Sequence, residues 1–184
     1  EGNLMADSLL WQATQSAPTF GLEAPDVAIQ NGGGIRNNSV IPAGDITLLD
    51  TFDIAPFSNL VTVFPDLPRE TLDDVLENAV SNVENVDGRW AHVAGMSFTY
   101  DPNAEPGERI VDVTLDDGTQ IVVNGTVVDG DPISLATIDF LARGGDQYPF
   151  GDADFVVLGS SYQQALANYI IDGLGGTITA AAHP

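Results

Sequence analysis

Between Pro68 and Val86 the apolar residues Leu72, Val75, Leu76, Ala79, Val80 and Val83 recur at i, i+3, i+4, i+7, i+8 and i+11, with acidic residues between them. This is one stripe of an amphipathic helix, and such a stripe must be buried against another element. The chain beyond it supplies β-rich partners: "GMSFTY", "ERIVDVTL", "TQIVVNGTVV" and "DPISLATIDFLA", punctuated by "DPNAEPG", "DDG" and "DGDP". Asn124-Gly125 between two valine-rich runs predicts a tight hairpin, because both residues tolerate positive φ. Upstream, "NLMADSLLWQAT" predicts a helix with Asn3 as cap and apolar residues on more than one face, and "PDVAIQ" predicts a short strand. The last element, "SSYQQALANYIIDGLGG", predicts a helix capped by Ser160 or Ser161, with Tyr162, Ala165, Leu166, Tyr169 and Ile170 on one face and glycines ending it. These patterns predict an α+β (mixed α/β) fold, its sheets mostly antiparallel and its helices packed outside. With 184 residues, 43% of them hydrophobic, and no internal repeat or long linker, one domain over residues 1–184 is expected.

Charge limits the partners. Asp and Glu number 27 against 5 Lys and Arg, and no lysine occurs, so the net charge is -22. A surface of that sign repels phosphate backbones and anionic lipids, which excludes nucleic acid as a partner. Self-repulsion of this size is tolerated where salt screens it, which points to a salt-rich, extracellular setting. The absence of cysteine excludes disulfides, thiolate metal sites and cysteine nucleophiles. No apolar run is long enough to span a bilayer, and "EGNLMADSLL" lacks the basic start of a signal peptide. Because it opens directly on a helical pattern, the chain is expected to be a piece of something longer.

The segment "AIQNGGGIRNN" carries the first of the five basic residues, Arg36, beside the glycines Gly32, Gly33 and Gly34. It has neither the Gly-Lys-Ser/Thr ending of a phosphate loop nor the spacing of a dinucleotide fold. One reading is a turn that lets backbones approach closely. A second is a strand end whose exposed N–H groups, with Asn31 and Arg36 beside them, receive a polar or anionic ligand.

Four segments occur together in order: "NGGGIR", "APFSN" at 55–59, "GRWAHVAGMSFTYDPNAEPGERI" at 88–110 and "DFLARGGDQY" at 139–148. With the opening "GNLMADSLL", this order and spacing resembles the C-terminal domain of the 5'-nucleotidase family. In that family the domain follows an N-terminal metallophosphoesterase domain. The resemblance implies that Phe57 and Phe140 sandwich the base of a nucleoside or nucleotide, for which stacking is suited because every base has a π face. It implies that Asp146 accepts hydrogen bonds from ribose hydroxyls and that Arg36 grips ribose or phosphate oxygens with its planar fork. Asn31 matches a base- or loop-contacting asparagine, Asn59 is a further contact, and Gly32 to Gly34 would let main chain and arginine approach the flat ligand. The pattern departs from the family at three points. Residues 1–30 hold no basic residue where relatives carry a further arginine, Gln147 stands where glycine would relax the turn, and Ser58 replaces a common glycine.

Hydrolysis in that family uses two divalent metal ions held by His, Asp and Asn ligands. The chain has only His92, within apparent scaffold, and His183 near its end, so no cofactor is expected here and binding without turnover is predicted. The resemblance assigns the metals and catalytic pair to a covalently linked partner domain and implies rotation of one domain against the other. It also implies a periplasmic, cell-surface or extracellular location. Two alternatives stand beside this: a degenerate spacer or adhesion module without nucleotide binding, and a calcium site at "FGDADFVVLG", 150–159.

Overall fold

The computed structural model describes residues 1–37 and 39–179. In chain order the elements are α1 (Gly2–Ser16), β1 (Val27–Asn31), α2 (Leu48–Ile54), β2 (Leu60–Leu67), α3 (Arg69–Val80) and β3 (Ala91–Ala94). There follow β4 (Met96–Tyr100), β5 (Ile110–Leu115), β6 (Gln120–Val123), β7 (Thr126–Val127), β8 (Ile133–Ile138), α4 (Asp139–Ala142), β9 (Val156–Ser161) and α5 (Tyr162–Asn168).

The strands form a five-stranded sheet in the order β3-β1-β8-β2-β9 and a four-stranded sheet in the order β4-β5-β6-β7. Every pairing is antiparallel except β1 with β8, so the fold is mixed α/β with antiparallel-rich sheets and flanking helices, as expected. The direction of three neighbouring strands decides where their connecting loops meet. Because β1 and β8 run parallel, their C-terminal ends lie at one edge of the sheet, and antiparallel β2 begins at that same edge. The chain after Asn31, before Leu60 and after Ile138 is thereby gathered in one place.

The stripe of α3 is buried at Leu72, Val75, Leu76, Ala79 and Val80, but the helix ends at Val80 and Val83 lies beyond it, half-buried. Arg109, 3% exposed, secures that end by donating to Val80 O at 2.7 Å and Ala104 O at 2.9 Å and by pairing with Glu84. A cation here also complements the negative end of the helix. Asn124 (φ 50) and Gly125 (φ 71) form the expected left-handed turn between β6 and β7.

Several boundaries differ from the sequence reading. Asn3 lies inside α1, whose N-cap position is Glu1 with no side-chain capping bond. Of the two serines, Ser161 caps α5, accepting from Gln164 N at 3.0 Å. "DPISLATIDFLA" divides into β8 and α4, because the Asp139 side chain accepts the Leu60 N–H at 2.8 Å and turns the chain out of the ladder. The strands β2, β3 and β9 and the helix α2 were not expected. The first four residues of "LVTVFPDL" that follow Leu60 are buried without alternation, since β2 is an inner strand that also packs against helices, among them α1 and α5.

Candidate functional site

Asn31 closes β1 and is 2% exposed. Gln30 Nε2 donates to Asn31 Oδ1 at 2.9 Å, and Asn31 Nδ2 donates to Asp146 Oδ2 at 2.5 Å. From α3, Asn78 Nδ2 donates to the Asp146 carbonyl at 3.2 Å. Two carboxamides thus orient this one residue, and Asp146 Oδ1 accepts no hydrogen bond from any described residue. Asp146 (φ 51) and Gln147 (φ 63) both take the left-handed conformation that glycine adopts more readily. The turn is kept nonetheless. Buried Tyr148 anchors it by donating from its hydroxyl to Arg89 O at 2.7 Å.

The glycines form a tight 3-10 turn, Gly32–Gly34. Gly32 N–H donates to Trp90 O and Gly33 N–H to Gly88 O, each at 2.8 Å. The expectation of open N–H groups at the strand end is therefore corrected, because the chain's own carbonyls take them. A Cβ at Gly34 would collide with Gln30 Nε2, and one at Gly33 would fall 3.1 Å from Gly88 Cα. A side chain at either position would force these neighbours to shift, whether or not a ligand is present.

Arg36 is exposed, and its Cζ stands 5.3 Å from the centroid of the Phe57 ring. The other four arginines are engaged: Arg89 with Asp87, Arg109 with Glu84, Arg143 with Asp139, and Arg69 with the carbonyls of Gln120, Val128 and Asp131. Among the described residues Arg36 forms no ion pair.

Phe57 and Phe140 are 44% and 42% exposed, and neither packs against another aromatic ring among the described residues. Phe140 lies over Gly145, where a Cβ would fall 2.5 Å from its ring. Phe57 is held by a residue that sequence reasoning placed only on an inward helix face. Tyr162, with no exposure, donates from its hydroxyl to Gly34 O at 3.0 Å and accepts the Phe57 N–H at 3.1 Å. Burial pushes its phenol pKa up, which keeps the donor protonated. Asn59 is half-buried, and its carbonyl accepts the Tyr162 N–H at 3.0 Å.

These residues surround one pocket of about 320 Å³, lined by Asn31, Gly33, Gly34, Arg36, Phe57, Asn59, Phe140 and Asp146. Gly32 does not line it, and Gly88, which sequence reasoning missed, does. The volume falls within the range of small-molecule sites. Two exposed aromatic faces, one unpaired guanidinium and one oriented carboxylate suit a ligand with a flat ring, hydroxyls and an anionic or polar end.

His92 sits in β3 against the first turn of α1, where its imidazole leaves no room for a Cβ at Gly2. Burial lowers its pKa, because desolvation disfavours the charged imidazolium. His183 lies outside the described residues. Among the described residues no group of three or more His, Cys, Asp or Glu side chains could hold a metal ion. Within 150–159, Phe150 stacks on Phe64 with centroids 4.4 Å apart, while Asp152 and Asp154 face solvent. Among the described residues, no helix is long and apolar enough to cross a membrane.

Comparison with known proteins bears on this site. The family model for the 5'-nucleotidase C-terminal domain matches residues 1–153. The trifunctional nucleotide phosphoesterase protein YfkN of Bacillus subtilis is 36% identical over 149 residues, covering 80% of this chain and 9% of that protein. A probable 5'-nucleotidase of Treponema pallidum is 31% identical over 135 residues, covering 71% of this chain and 22% of its own length. The crystal structure of a 5'-nucleotidase precursor from Thermus thermophilus aligns with a TM-score of 0.76 at 30% identity, covering 92% of this chain and 31% of that one. The NAD nucleotidase of Haemophilus influenzae, 19% identical with a TM-score of 0.72, shares the fold over 92% of this chain and 29% of its own. The chain therefore spans less than a third of each of these proteins.

Proposed function

This chain belongs to the 5'-nucleotidase C-terminal domain family, and on that premise we propose that it is the nucleoside-binding part of a 5'-nucleotidase-type phosphoric ester hydrolase. The base stacks between Phe57 and Phe140. Asp146, oriented by Asn31, accepts hydrogen bonds from the ribose hydroxyls, Arg36 grips ribose or phosphate oxygens, and Asn59 meets an edge of the ligand. Gly33 and Gly34 form part of the pocket wall, while Gly32 ties that wall to the chain entering β3 from behind.

On this reading hydrolysis falls to a covalently linked metallophosphoesterase domain carrying two divalent metal ions, in keeping with the lack of a cluster of three His, Cys, Asp or Glu side chains among the described residues. The part of this chain is to bind and orient the nucleoside, leaving the phosphate ester free to be presented by rotation of one domain against the other. Such a protein works in the periplasm, at the cell surface or outside the cell.

The observation that carries this reading is the meeting of Asn31, Arg36, Phe57, Phe140 and Asp146 around one pocket, with Arg36 free of ion pairs there. Calorimetric titration with adenosine and AMP tests it, because neither Trp11 nor Trp90 lines the pocket to report by fluorescence. Phe57→Ala and Phe140→Ala should each weaken binding by about tenfold, in line with ~1–3 kcal/mol per stacked base. Both should lower the unfolding temperature by only about a few degrees, since each ring is more than two-fifths exposed. Arg36→Ala should weaken AMP more than adenosine. No residue before Arg36 is basic, a feature that favours a spacer without ligand. Absence of binding by either compound into the millimolar range would favour that second reading.

A further inference from the structure

A second pocket, also of about 320 Å³, lies on the far side of the turn between α3 and β3. It shares no lining residue with the first, although the wall between them is common: Gly88 faces the first, and Asp87 and Trp90 face the second. We propose that this pocket, walled by Trp90 and Tyr100 and edged by Asn82, Asn85 and Asp87, binds a neutral sugar ring.

The aromatic walls select the shape. The rings of Trp90 and Tyr100 have centroids 5.7 Å apart at an interplanar angle of 66°, and Phe98 supports both from 6.2 and 6.4 Å. Two rings at that angle form a corner, so a flat base has no parallel slot to enter. A pyranose can lay its C–H face on one ring, where the polarised hydrogens meet the negative π face. Trp90 and Tyr100 are only half-buried, and neither the indole N–H nor the phenol hydroxyl bonds to any described residue. At this exposure both polar atoms are open to solvent and within reach of a ligand lying on the rings.

The polar edge selects the chemistry. Asn85 Nδ2 donates to Asn82 Oδ1 at 2.8 Å, Asn82 Nδ2 donates to Asp87 Oδ2 at 2.6 Å, and Asp87 Oδ1 accepts from the backbone and Nε of Arg89 at 2.9 and 3.1 Å. The three side chains are thus held in place and keep spare capacity, since a carboxamide offers about four hydrogen-bonding positions and a carboxylate about as many. Alternating donors and acceptors match vicinal hydroxyls, each of which donates and accepts. The lining contains no cation, and the adjacent Arg89 guanidinium is engaged by Asp87 and Ser81. Asp87 and Arg89 offset each other's charge, so the pocket offers an anionic ligand no free cation to pair with, while a neutral ligand needs none.

The test is a nuclear magnetic resonance titration of the isotope-labelled chain with glucose, galactose and N-acetylglucosamine in turn, and separately with AMP. At least one sugar should shift the amides of residues 82–90 and 98–100 at millimolar concentration and leave those of Phe57 and Phe140 in place. Tyr100→Ala and Asn82→Ala should weaken that binding at least tenfold, while Phe140→Ala should not alter it. Should Tyr100→Ala fail to fold, Asn82→Ala and Tyr100→Phe carry the same test, each removing a polar contact with little change of packing. No shift at any sugar concentration up to the solubility limit overturns the proposal. So does sugar binding unchanged in both Asn82→Ala and Tyr100→Phe, or competition by AMP for the same amides. Binding of AMP at the first pocket is a separate readout, so its failure leaves this one standing.

Discussion

Tyr162 does not line the first pocket, yet its hydroxyl joins two of that pocket's walls, Gly34 and the Phe57 backbone. Replacing it with phenylalanine keeps the ring and leaves a buried carbonyl and an N–H without their partner, a loss of about 1–3 kcal/mol. Tyr162→Phe should speed hydrogen exchange at the Phe57 amide and weaken adenosine severalfold, with the fold retained. Exchange at Phe57 unaltered in the variant would show that the hydroxyl is not a strut. At this scale the sequence was informative about which residues line the first pocket and silent about how they are held. Phe57, Phe140 and Asp146 stood out through their motifs. The partners that orient them are remote, Asn31 lying 115 residues from Asp146 and Gly34 lying 128 from Tyr162. No local pattern encodes such a bond.

The helix α3 carries Asp73 and Glu77 one turn apart, two like charges on neighbouring positions of one face. Glu77 is satisfied, accepting from Gly107 N at 3.1 Å and Ile110 N at 2.6 Å, which pins the helix to the loop before β5. Asp73 is not, because its Oδ1 is buried without a partner. Burial first, then repulsion from Glu77 and Asp74, push its carboxyl up from 3.8 to about 6. The folded chain therefore holds this proton more tightly than the unfolded chain. The resulting stabilisation is complete below the unfolded value and is lost as pH rises through the folded one. Asp73→Asn should unfold at a higher temperature than the wild type near neutral pH, and the difference should shrink as pH falls from about 7 to about 4. A difference that stays constant in thermal melts across that window would remove Asp73 as its source. The stripe of α3 was legible because period and burial agree along one short stretch. In contrast, β2, β3, β9 and α2 were not, since their burial comes from neighbours remote in sequence.

Across the whole molecule, 27 acidic side chains face five basic ones, and four of those five are engaged in ion pairs or carbonyl contacts. Surface repulsion is therefore largely uncompensated, and screening should relieve it. The unfolding temperature should rise between about 0.05 and about 1 M sodium chloride, where the Debye length falls several-fold. A fall by calorimetry would mean that the few ion pairs outweigh the repulsion. By itself the sequence determined the charge, the amphipathic helix, the Asn124-Gly125 hairpin and the identity of the aromatic and charged residues at the site, because each rests on a residue type or on neighbours within a few positions. Only the tertiary structure decided that β1 and β8 run side by side in parallel with β2 beginning at the same edge, which brings Asn31, Phe57 and Phe140 together. It also decided that the glycine amides are spent on the chain itself. Strand order and register follow from which buried faces fit one another across the core, and that fit belongs to the whole chain at once.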